Sequence, residues 1–214
     1  MRSGIVGLLL MMLVASAAWA QTGKQVAIGG ALGITSYADK DFSSKNPGVS
    51  LAYRINLKPG AKDGWTWAPK TGLGWSKRKT STDIGGLRTQ LGKLQTVLIM
   101  AGVQRAVRQG PWQVGLGVVG GASINHFEVD AAARDAYRSR LGRVLGDIKV
   151  KNSIAVRPEL SAWYDLNQWF AVQGSLSYLF NRPRAETTLG GVTTASTWNT
   201  AHASASVGLV VGLF

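Results

Sequence analysis

Apolar and polar side chains alternate with a period of two along most of this chain. Val49, Leu51, Tyr53, Ile55 and Leu57 share one face of a segment whose other face carries Ser50, Ala52, Arg54 and Asn56. Trp112, Val114, Leu116, Val118 and Ile124 oppose Gln113, Gly115, Gly117, Gly121, Ser123 and Asn125. Phe170, Val172, Leu176, Tyr178 and Phe180 oppose Ala171, Gln173, Ser175 and Ser177. That period belongs to a strand, whereas a helix repeats every 3.6 residues. Eight such segments are predicted, at 24–35, 48–57, 65–76, 94–107, 112–126, 151–165, 169–181 and 200–214. The connections between them, 36–47, 58–64, 77–93, 108–111, 127–150, 166–168 and 182–199, alternate long and short.

Short turns on one side and long loops on the other describe a membrane-spanning β-barrel, with the turns in the periplasm and the loops outside. An even number of strands returns both termini to the periplasmic side. Tilted strands need about 9–11 residues to cross a bilayer. A soluble barrel or sandwich would turn its large apolar residues inward and its charges outward. Here the more polar face is built of Gly, Ala, Ser, Thr, Asn and Gln, which suit the crowded interior of eight strands. Aromatics gather at strand ends: Trp65, Trp67, Trp112, Trp163, Tyr164, Trp169, Phe170 and Phe214 near the short turns or the C-terminus, and Tyr37, Phe42, Trp75, Phe127, Tyr178, Phe180 and Trp198 near the long loops. Two such girdles are expected where a barrel meets the two membrane interfaces. The fold class that follows is all-β: an eight-stranded antiparallel up-and-down transmembrane barrel with one short helix in the third extracellular loop.

Composition narrows the chemistry. The chain has 214 residues, a net charge of +13, no Cys and two His. That length fits one domain. Charged residues are 16 %, against roughly 25 % in ordinary soluble domains. Absence of Cys excludes disulfides, thiolate metal sites and a Cys nucleophile. Two His leave little material for a zinc centre, so neither metal nor cofactor is predicted. Residues 1–20 read as a signal peptide, with Arg2 as the positive end, Ile5 to Val14 as the apolar stretch and Ala18-Trp19-Ala20 as the cleavage site. Beyond residue 20 no apolar run approaches the length of a spanning helix.

The eight segments, the signal sequence and the terminal run Ser206-Val207-Gly208-Leu209-Val210-Val211-Gly212-Leu213-Phe214 resemble small eight-stranded outer-membrane barrel proteins of the OmpA-like and opacity-like kind. The resemblance covers 24–214 and implies an outer-membrane location in a Gram-negative envelope. It further implies that Phe214 is the signal read by the barrel-assembly machinery during insertion. One departure concerns the last strand. The family usually places bulky apolar residues third, fifth and seventh from the end, here Gly212, Val210 and Gly208, whereas Val207, Leu209, Val211 and Leu213 form the stronger row. A slip of one residue exchanges the faces of a strand, so the register of this one is left open.

Candidate chemistry lies inside the barrel and in its loops. Arg54, Lys70, Arg157 and Glu159 are mid-strand charges expected to face the lumen, with Glu159 paired to Arg54 or Arg157 because buried charges need partners. The long loops are basic. Lys77-Arg78-Lys79 follows Trp75, and Arg134, Arg138, Arg140 and Arg143 crowd a helix expected over 130–145. Asp130 is its expected N-cap, and Tyr137, Leu141, Val144 and Leu145 its apolar stripe. That helix could lie on the membrane surface or cap the barrel mouth. These seven cations are candidates for lipopolysaccharide phosphates, since Arg binds phosphate as a fork and Lys as a point charge. Nucleic acid is not an expected partner of an exported barrel.

The resemblance also brings in outer-membrane lipid A deacylases, which use a His-x-Ser pair with a Glu. His202-Ala203-Ser204 has that spacing, with Glu186 the nearest candidate acid, and Ser123, His126 and Glu128 form a second near set, expected on one face if the strand continues. The expected role is nevertheless non-enzymatic: a membrane-embedded scaffold presenting basic loops, with a lipid-modifying enzyme or a narrow channel as the alternatives.

Overall fold

A computed structural model describes residues 26–37, 39, 41–42, 47–55, 66–167 and 170–213. The predicted signal peptide, Trp65, Trp169 and Phe214 lie outside the described residues. Eight strands pair in a closed antiparallel ring: β1 (Val26–Tyr37), β2 (Pro47–Ile55), β3 (Thr66–Ile84), β4 (Leu87–Gln109), β5 (Trp112–Val129), β7 (Ser153–Asp165), β8 (Phe170–Asn181) and β11 (His202–Leu213). Each strand of the ring pairs with its neighbour along the chain, and β1 closes onto β11 from Val26↔Leu213 to Tyr37↔His202. The β2–β3 seam is the shortest, running from Val49↔Trp75 to Leu51↔Leu73.

The outer face is apolar to a degree no water-facing sheet tolerates. Ile154 is 82 % exposed, Ile34 72 % and Leu32 69 %. A contiguous belt of this kind marks a surface made for lipid. The register of β11 resolves from its pairing. Val207 sits opposite Leu32 and Gly174, and Leu209 opposite Val172. Val207, Leu209 and Val211 are exposed on the lipid side, while Val210 is fully buried in the lumen.

The long connections are more ordered than their composition suggests. Residues 77–93, expected as a loop, continue β3 and β4 into a projecting hairpin whose two-residue turn is Gly85-Gly86. Both glycines have positive φ, +61° and +81°, the geometry that matches the twist of a tight hairpin and that side-chain-bearing residues resist. Residues 182–199 form a second hairpin, β9 (Arg184–Leu189) and β10 (Val192–Thr197), which joins β6 (Leu145–Val150) in a separate three-stranded sheet of order β10-β9-β6.

The third long connection carries the helix, α1 (Ala131–Leu141), shorter than the expected 130–145 because Gly142 turns left-handed at φ 62° and ends it. Asp130 is the N-cap residue but makes no side-chain cap; its carboxylate accepts instead from Gln90 Nε2. The buried face is Ala133 and Ala136, while Leu141 and Val144 of the predicted stripe are exposed. Small residues let the helix lie close on the strand extensions, so it belongs to the cap over the barrel.

That cap has its own core. Phe42, Leu94, Phe127, Leu145, Ile148 and Ala185 are buried together, with Tyr37, Tyr137 and Trp198 packed against them. Trp198 lies edge-on to Phe127 at 5.2 Å and to Phe42 at 5.9 Å. These aromatics were expected in the outer girdle. They turn inward because the extended strands give them a second core to fill. Trp163, expected in the periplasmic girdle, is likewise buried, against Ala31 and Val210. The girdles that remain are Trp67, the Trp112–Tyr164 pair and Phe170 below, and Trp75 with the Tyr178–Phe180 pair above.

Candidate functional site

Side-chain alternation sets the waist of the lumen. Arg157 and Glu159 are two residues apart on β7 and share its inward face, opposite Lys70 on β3. Lys70 Nζ lies 2.8 Å from Glu159 Oε1, and Arg157 Nη2 lies 3.3 Å from Glu159 Oε2. Each carboxylate oxygen therefore faces one cation. Lys70 also donates to Gln104 Oε1 at 3.5 Å. Arg157 passes over Gly72, where an added Cβ would stand 2.6 Å from Nη2, so that glycine makes room for the guanidinium. The expected Glu159–Arg157 contact is present. Lys70 is the nearer partner, and the side chain of Arg54 lies outside the described residues. Below the waist Arg108 donates to Asp165 at 2.7 Å, a pair separated by 57 residues that no local pattern could reveal.

The lumen is filled unevenly. Leu98, Met100, Val119, Ala155 and Leu179, from β4, β5, β7 and β8, form an apolar layer. On the β8–β11 side, hydroxyl pairs Ser175–Ser206 and Ser177–Ser204 face each other at 2.7 Å. A cavity of about 120 Å³ runs beside them, lined also by Thr35, Ser76, Gln173, Arg157, Glu159 and His202.

Arg78 overturns one expectation. It is not at the lipid headgroups. It alternates inward from Lys77 and Lys79 and is 1 % exposed. Its guanidinium carbon stands 4.5 Å from the Tyr37 ring centre and 5.8 Å from that of Phe42. Nε, Nη1 and Nη2 have no hydrogen-bond partner among the described residues. His202 also packs on Tyr37, its ring 4.7 Å away, with Nδ1 donating to the Thr200 carbonyl at 3.1 Å.

The remaining basic candidates separate into two groups. Arg134 pairs with Asp147 at 3.1 Å, and Arg140 donates to the Ile84 carbonyl and to Thr89 at 3.2 Å each, so both hold the cap together. Arg138 and Arg143 are exposed on the cap surface. Lys77 and Lys79 point outward, two and four residues above Trp75. Directly across the ladder from Lys79 is Lys93, with Glu128 beyond it on β5. Two like charges directly opposed on a sheet are unfavourable unless something of opposite charge lies between them.

The Ser–His sets do not assemble. Ser204 is engaged with Ser177, and Glu186 with Lys151 at 3.2 Å in the outer sheet. Ser123 faces the lumen while His126 and Glu128 face outward, which corrects the expectation that the three share a face. Odd and even positions of one strand cannot converge.

Comparison with known proteins agrees with this architecture. A family profile described as outer membrane protein beta-barrel domain matches residues 6–146. No curated protein is significantly similar in sequence. Among solved structures, the outer membrane protein OprG from Pseudomonas aeruginosa superposes with a TM-score of 0.71 at 14 % identity, covering 89 % of this chain and 96 % of OprG. The outer membrane protein AlkL superposes with a TM-score of 0.53 at 12 % identity, covering 89 % of this chain and 90 % of AlkL. At such identities the likeness is one of fold alone.

Proposed function

Because this chain belongs to the outer membrane protein beta-barrel family, we propose that it works as an anchored scaffold whose β3–β4 face holds phosphate groups of the outer leaflet. The observation that carries this reading is the outward lysine cluster. Lys79 opposes Lys93, and Lys77 stands one step nearer the Trp75 girdle. This is the height at which lipopolysaccharide phosphates lie, and a phosphate between Lys79 and Lys93 would relieve their repulsion. The filled waist and the packed cap favour anchoring over conduction.

The test compares the purified barrel with a triple variant, Lys77→Ser, Lys79→Ser and Lys93→Ser, for binding to vesicles containing lipopolysaccharide or its dephosphorylated form. Each basic residue at an anionic surface contributes about 1 kcal/mol, so the triple variant is expected to bind about a hundredfold more weakly. Equal binding by both proteins, or no preference for the phosphorylated lipid, sinks the reading. Steady planar-bilayer conductance by the wild-type barrel would favour the channel alternative.

A further inference from the structure

The outer sheet ends on a strand that nothing guards. Its order is β10-β9-β6, so it has two edges. The β6 edge is covered, since β6 lies against β5 and α1. The β10 edge is open. Among the described residues β10 pairs with β9 alone, and Val192 to Thr197 are all exposed. An open strand edge is a template for another strand, and proteins that avoid such pairing blunt the edge with Lys, Pro or a bulge. The run Val192-Thr193-Thr194-Ala195-Ser196-Thr197 has no charge and no proline. Its ladder with β9 runs without a register shift from Val192↔Leu189 to Thr197↔Arg184. Val192, Thr193, Thr194 and Thr197 are β-branched, which favours the extended chain.

The hairpin fixes which backbone groups face outward. A two-residue turn makes its flanking residues, Leu189 and Val192, a hydrogen-bonded pair. Alternation then makes Thr187–Thr194 and Ala185–Ser196 hydrogen-bonded pairs as well. The Trp198 amide continues the series by donating to the Pro183 carbonyl at 2.9 Å. The intervening residues, Thr193, Ala195 and Thr197, turn N–H and C=O to the open edge. Thr193 meets Thr188 through their hydroxyls at 2.9 Å, as suits the closer side chains of a non-hydrogen-bonded pair.

Charge selects the occupant. The chain carries a net charge of +13, and Arg138 and Arg143 stand exposed on the cap. Two copies repel wherever such cations meet, whereas β10 is uncharged. Its nearest charges in the ladder are Arg184 and Glu186 on β9, and Glu186 is already paired with Lys151 at 3.2 Å. In a sheet continued through β10, the Glu186 residues of two copies would stand three strand spacings apart, roughly 14 Å, beyond the roughly 8–10 Å over which exposed charges escape screening by salt.

We propose that β10 is a docking edge for a second copy of this chain, the two β10 strands pairing antiparallel about a two-fold axis at Ala195. In that register Ala195 faces Ala195 of the partner subunit, and Thr193 faces the partner subunit's Thr197. The outward N–H and C=O groups of these residues then find mates, and the two outer sheets become one. A two-fold contact is self-complementary and closes at two copies. It is separate from the lysine cluster on β3 and β4 and does not rest on it.

Because the chain has no Cys, single-cysteine probes report one position each. The full barrel is refolded in detergent and oxidised. Disulfide dimers are scored on non-reducing gels, for variants that migrate as the folded form when unboiled. Ala195→Cys should form dimers at least tenfold faster than Arg138→Cys, an exposed cap position that reports chance collision. Opposed residues of a hydrogen-bonded pair have Cα atoms about 5.5 Å apart, within reach of a disulfide. Thr194→Cys mixed with Ser196→Cys should cross-link faster than either variant alone, since these positions oppose each other in the same register. Adding Thr193→Lys and Thr197→Lys to Ala195→Cys sets lysines against one another across the edge and should cut the rate about tenfold. Ala195→Pro, tolerated in an edge strand whose N–H faces outward, should remain monomeric in sedimentation where wild type dimerises with rising concentration. The proposal is overturned by an Ala195→Cys rate no greater than that of Arg138→Cys, or by lysines that leave the rate unchanged in folded protein. Wild type that sediments as a monomer at every concentration overturns it too, as does cross-linking of Ala195→Cys to a different protein in whole cells.

Discussion

The waist and the mouth of this barrel both bury cations, and they do so in opposite ways. At the waist, Lys70 and Arg157 divide one carboxylate between them at 2.8 and 3.3 Å. At the mouth, Arg78 is buried with no hydrogen-bond partner among the described residues, resting on the ring of Tyr37. A compensated cluster is a structural plug, since removing its anion leaves two cations stranded in a medium that cannot solvate them. A guanidinium held only by a ring has part of its charge offset and its N–H groups unanswered, which is a cost to the fold. Buried charges in one lumen are therefore held in two different ways.

Breaking the waist should have the largest effect. Glu159→Ala removes the shared partner and should destabilise the barrel by about 3–5 kcal/mol, read as a lower midpoint for loss of the folded band. A midpoint within error of wild type would mean that the waist charges are solvated and that the contrast with Arg78 is false. Next is the hairpin that carries Arg78. Gly85→Val places a β-branched residue at φ +61°, with its Cβ 3.3 Å from that of Arg140, and should cost about 2 kcal/mol through left-handed strain. Protease sensitivity confined to residues 77–93 would show that the roof had loosened while the waist held. The smallest effect is expected at the periplasmic end. Asp165→Ala removes the carboxylate from Arg108, which still donates to the Gly110 carbonyl at 3.4 Å; the pair is partly open to water, with the arginine 24 % exposed, and the loss should be about 1 kcal/mol. A loss as large as that of Glu159→Ala would mean that depth in the lumen does not grade these interactions.

The sequence makes the barrel legible because lipid outside and small polar residues inside impose a strict alternation. Leu116, Val118 and Ile124 lie outward and Gly117 and Ser123 inward, as the pattern requires. It fails at 77–93 for a physical reason. Above the membrane the outer face meets water, so Lys77 and Lys79 replace the apolar residues and the contrast between faces disappears. The Gly85-Gly86 dipeptide was the remaining sign of a tight hairpin. Arg78 looked like one member of a basic run, and only its parity sets it apart from its neighbours. Lys70 pairs with Glu159 across two distant strands, and no spacing encodes that contact. The inward turn of Phe42, Phe127 and Trp198 depends on a second core that exists only once the extensions fold.

Strand β10 gives almost nothing to that second core. All six of its residues, Val192 to Thr197, are exposed, and its hairpin ends on Gly190-Gly191. A segment held by backbone pairing on one side and by little packing can exchange its side chains at small cost to folding. On the outer surface of a cell, a segment of that kind can change its appearance to antibodies and phages while the barrel beneath stays the same.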